Sequence, residues 1–91
     1  MPGREPSDLR TIPGVGPSIE IDLRALGIAA VADLRDRNPD LLYDELCRQR
    51  GERIDPCVKY VFRCAVYFAR NEVHDPALLQ RWNWKDRPPQ A

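Results

Sequence analysis

The chain has 91 residues, 43% of them hydrophobic and 31% charged, with fourteen basic and fourteen acidic side chains and a net charge of zero. That length allows one small domain, spanning residues 1–91, and excludes a multidomain architecture. Its apolar runs, such as residues 28–32, are too short to cross a bilayer, no apolar stretch follows Met1 as a secretory signal would require, and a basic nucleic-acid-coating protein is excluded by the charge balance.

The zero is a sum of two unequal halves. Residues 1–45 carry five arginines against nine carboxylates, and residues 46–91 carry nine cations against five. A polyanion is therefore expected to approach the C-terminal half, or to meet the N-terminal half through backbone groups. With three cysteines in no framework spacing and no leader segment, the expected setting is the cytoplasm with free thiols and no membrane association.

In chain order, Ser7 is placed to cap a short turn through Ile12. Gly16-Pro17 opens a helix predicted to run to Leu26, because proline at the first helical position loses no hydrogen bond. A short turn follows at residues 31–35. Asn38-Pro39, Asp55-Pro56 and Asp75-Pro76 each set a capping side chain before a proline and predict helices over 39–50, 56–70 and 76–81. Gly27 and Gly51 stand where glycines end helices. No stretch alternates with period two, so no sheet is expected. The predicted fold is an all-α, compact, SAM-like bundle of five to six helices: residues 7–26 as a helix-hairpin-helix, 31–81 as the remaining helices, and 82–91 as an extended tail carrying Trp82 and Trp84 across the core beside Lys85. The tail reads as a packing clamp or as an aromatic patch for a partner or a base.

The helix from Pro56 is apolar around most of its circumference and is predicted to be the central one, with Val61, Phe62 and Phe68 in the core. Its remaining stripe, Lys59, Arg63 and Arg70, is wholly basic. It reads either as a solvated face or as a track for phosphates. On the helix from Pro17, Ile19, Leu23 and Leu26 make the core face, and Ile21 lies opposite as a candidate partner contact.

The segment carrying a mechanism is Ile12-Pro13-Gly14-Val15-Gly16-Pro17-Ser18-Ile19. Two glycines allow a tight turn and close approach of a ligand, while the valine between them plugs the turn into the core. The N–H groups of Gly14, Val15, Gly16 and Ser18, with the positive end of the following helix, would form an anion pocket able to hold a nucleic-acid phosphate without reading a base. This resembles the hairpin of the helix-hairpin-helix superfamily. It departs from that pattern at Glu20, where a small residue is usual, and at Pro17 and Ser18, where a lysine or arginine often follows. Glu20 and Asp22 beside the pocket would repel phosphate.

Beyond the hairpin, LGI…VADL at 26–34, NPDLLYDELC at 38–47, RIDPCVKYVFRCAVYFAR at 53–70 and RWNWKD at 81–86 resemble the bacterial pathogenicity-locus family, some of whose members are linked to mitomycin resistance. That resemblance implies a small helix-hairpin-helix fold and leaves the biochemical role open.

No metal or cofactor is expected. Cys57 and Cys64 on one helix would stand roughly 10.5 Å apart along its axis, too far to share an ion or a disulfide. All three cysteines are therefore expected to be buried packing residues, and His74 a solvated turn residue. No nucleophile–base pair, paired carboxylates on an apolar wall or Gly-Lys-Ser loop is present, so no catalytic residue is assigned. The expected function is non-enzymatic, sequence-nonspecific binding of DNA through Gly14, Val15, Gly16, Ser18, Lys59, Arg63 and Arg70. The alternative is an adaptor that docks a DNA-processing or stress-response protein through Ile21, the tryptophans or the acidic half.

Overall fold

The computed structural model describes residues 8–84. All of its regular structure is helical, in three α-helices rather than the five to six expected of a SAM-like bundle: α1 (Pro17–Ala25), α2 (Pro39–Arg50) and α3 (Cys57–Arg70). The other anticipated helices are four-residue 3₁₀ turns at Asp8–Thr11, Val31–Leu34 and Pro76–Leu79, and a fourth turn forms at Arg81–Trp84. Each is hemmed in by Pro13, by Asn38-Pro39 or by the extended backbone of Gln80. A segment of one turn cannot recover the cost of nucleating an α-helix. Ser7 and residues 85–91 of the anticipated tail lie outside the described residues.

Helix ends follow the local chemistry. Asn38 accepts from the N–H groups of Asp40 at 2.9 Å and Leu41 at 3.4 Å, which caps α2, and Asp75 accepts from Ala77 at 3.0 Å. Pro56 stands just before α3 rather than as its first residue, while Asp55 still accepts the Cys57 N–H at 2.9 Å. At the end of α1 the Gly27 N–H bonds Arg24 O and the Ile28 N–H bonds Leu23 O. This paired closure requires the positive φ of 88° that Gly27 supplies.

The core gathers on α3. Val61, Phe62, Cys64, Ala65, Val66 and Ala69 are buried there, and α3 packs against α2 and three of the 3₁₀ turns. From α2 come Leu42, Tyr43 and Leu46, and from the N-terminal region Leu9, Ile12, Val15, Leu23 and Leu26. Phe68 is only half-buried, against expectation, because it sits at the edge of α3 with its ring stacked on His74 at 4.5 Å between centroids. His74 is correspondingly packed rather than solvated, with Nε2 2.9 Å from Phe68 O.

The tryptophans divide. Arg81–Trp84 coils into a 3₁₀ turn instead of running extended, which turns Trp84 fully into the core and leaves Trp82 62% exposed. The Trp84 Nε1–H donates to Leu78 O at 2.7 Å.

The cysteines also divide: Cys64 is buried, Cys47 half-buried and Cys57 exposed. Cys57 begins α3, where the first turn projects past the packed face, so it is not the packing residue expected. Among the described residues, no three His, Cys, Asp or Glu side chains converge as a metal cluster. Burial pushes the Cys64 thiol up from about 9 to about 11. The unfolded chain therefore loses this proton first as pH rises, and the contribution of this thiol to stability, constant below about pH 9, should fall toward pH 11. The loss should reach about 2–3 kcal/mol. Burial also raises Tyr43, with Cys47 adding to the shift, so the comparison to make is with Cys64→Ala, whose urea midpoint should decline less over that window. Equal slopes would contradict the assignment. Ellman's reagent should modify Cys57 in the folded protein and Cys64 only after unfolding.

Candidate nucleic-acid interface

The glycine turn before α1 is anchored from below. Leu9, Ile12 and Val15 are buried to 6% exposure or less, and the Cys64 Sγ of α3 lies 4.0 Å from Pro13 O, so the turn rests on the central helix. Gly14 has φ of 90°, a conformation L side chains rarely adopt. Gly16 differs: its φ of −101° and ψ of −169° are ordinary extended values, and a Cβ there would meet nothing within 4 Å. Glycine at position 16 is therefore not required by steric crowding or by the backbone angles, though it is among the residues favoured at an N-cap.

Gly16 is the N-cap of α1 and offers no side-chain acceptor. The first intrahelical bond is made by the Glu20 N–H to Gly16 O at 2.9 Å. The N–H groups of Gly16, Ser18 and Ile19 are left without an acceptor among the described residues, as is that of Gly14. Val15 drops out of the expected set, because its N–H closes the turn to Ile12 O at 3.1 Å. Ile19 takes its place. It was legible in principle, since the first N–H groups of any α-helix lack intrahelical partners.

The two carboxylates expected to repel phosphate are tied down. Glu20 Oε1 accepts from Arg10 Nε at 2.9 Å, and Glu20 Oε2 lies 3.8 Å from Arg24 Nη2. Asp22 is buried to 3% and bonded by Arg50. Three partly exposed arginines thus pair with the two carboxylates of α1, so neither stands as an uncompensated negative charge near the turn.

The basic stripe of α3 does not join this site. At 100° per residue, Lys59, Arg63 and Arg70 lie about 100–140° around α3 from Cys64, the residue beneath the hairpin. Arg63 is consumed by the fold: its Nε and Nη2 hold both Asp40 oxygens at 2.9 and 3.0 Å, and Nη1 donates to Trp84 O at 2.7 Å. Arg70 Nε donates to Arg35 O at 2.8 Å. Lys59 places Nζ 5.2 Å from the centroid of the Tyr43 ring. Sequence periodicity put these three cations on one face correctly, but could not reveal that Asp40 and the Trp84 carbonyl would be brought against it.

Together these elements define a small all-helical protein built around one central helix, with a glycine turn leading into an uncapped helix. The chain belongs to the pathogenicity locus family, Cdd1, whose model matches residues 3–89. It is 40% identical over 58 residues to the mitomycin resistance protein McrB of Streptomyces lavendulae, an alignment covering 64% of this chain and 55% of that protein. The chain thus accounts for about half the length of this relative. No solved structure matches the chain. Among the described residues, no helix is long and apolar enough to cross a membrane.

Proposed function

We propose that this protein binds nucleic acid without sequence preference, by holding a backbone phosphate at the hairpin. The carrying observation is the open end of α1, where the N–H groups of Gly16, Ser18 and Ile19 lack acceptors beside a Gly16 whose missing side chain leaves open space. Backbone donors at a positive helix end suit a phosphate and read no base. Arg10 and Arg24 compensate Glu20, the carboxylate in the first turn of α1. The reading no longer includes Val15 as a donor or Arg63 as a phosphate contact, since both groups are engaged within the fold.

One hairpin touching about two phosphates should give a log–log salt slope near −2 and a dissociation constant of about 10⁻⁴–10⁻⁶ M for duplex DNA at physiological salt. Gly16→Val tests the site without disturbing the turn, because its backbone angles suit any residue. It should abolish binding at low salt while thermal unfolding stays within about 1 kcal/mol of wild type. Gly14→Val is the poorer probe, since it strains the turn whether or not anything binds. Unchanged affinity in Gly16→Val, or no binding by wild type at millimolar protein, would remove this reading.

A second reading, a protein-docking adaptor, is supported by the 65% exposure of Ile21 on α1 and the 62% exposure of Trp82.

A further inference from the structure

We draw no further inference here: the strongest candidate, the open cavity between α2 and the start of α3 in which the half-buried Cys47 lies with Tyr43, Arg53 and Lys59, carries nothing, because Asp44 and Glu52 line it together with those cations and nothing in the structure beyond a lone cysteine shows what would occupy it.

Discussion

Trp84→Ala should destabilise the protein by about 3–5 kcal/mol, the cost of leaving a cavity under a large buried aromatic, whereas Trp82→Ala should change stability by less than about 0.5 kcal/mol. Trp84 has no exposed surface, and its ring centroid lies 5.6 Å from that of Tyr67. It also satisfies the Leu78 carbonyl. A domain of this size has about 5–14 kcal/mol in total, so the alanine variant should be close to unfolding at 37 °C. Trp84→Phe separates the contributions: it keeps most of the packing, loses the indole donor, and should cost about 1–2 kcal/mol more than the small loss of volume alone. Urea midpoints measure all three variants. Similar losses at the two tryptophans would mean that the turn over residues 81–84 is wrongly placed.

Arg63→Met should cost about 2–3 kcal/mol, a large effect for a residue that the sequence presents as a surface cation. Its side chain is 12% exposed and that of Asp40 33%, so the pair is partly desolvated and the cost lies below that of a fully buried ion pair. Removing the guanidinium strands Asp40 and the Trp84 carbonyl together. It thereby loosens the contact between α3, the start of α2 and the C-terminal turn. Asp40→Asn leaves the guanidinium its carbonyl acceptor and should cost less, about 1 kcal/mol. The double mutant should fall short of the sum of the single costs by at least about 0.5 kcal/mol, as contacting residues do. Strict additivity would show that the pair is not coupled. Charge reversal at Arg63 would face Asp40 with a second carboxylate, so it tests folding rather than phosphate binding. Lys59→Met, which removes only a cation beside the Tyr43 ring, should cost less than about 1 kcal/mol.

The glycine turn before α1 lies between what local chemistry dictates and what packing decides. Its position was readable from the two glycines, and its plug, Val15, is buried as the apolar residue between them suggested. Which N–H groups remain available was not readable in full. The Val15 donor is lost to a turn closure that depends on the angles at Pro13 and Gly14. Glu20 and Asp22 looked repulsive because their arginine partners come from positions 10, 24 and 50. Two of those three lie outside α1, where no periodicity on that helix could point to them.

The sequence by itself determined the all-helical class, the starts of α1 and α2, the glycine ends at 27 and 51, the central place of α3 and the family. These depend on interactions within a few residues, on a single helical period or on likeness along the chain, and all are written in consecutive residues. The tertiary structure alone decided that Trp84 is core while Trp82 is surface and that Arg63 is a clamp rather than a contact. Each of those outcomes depends on a partner brought close by chain reversal, such as Asp40 for Arg63 across 23 residues or Leu78 for Trp84 across a turn. A side chain's spacing specifies the face it occupies, but burial and pairing are properties of what is packed against that face.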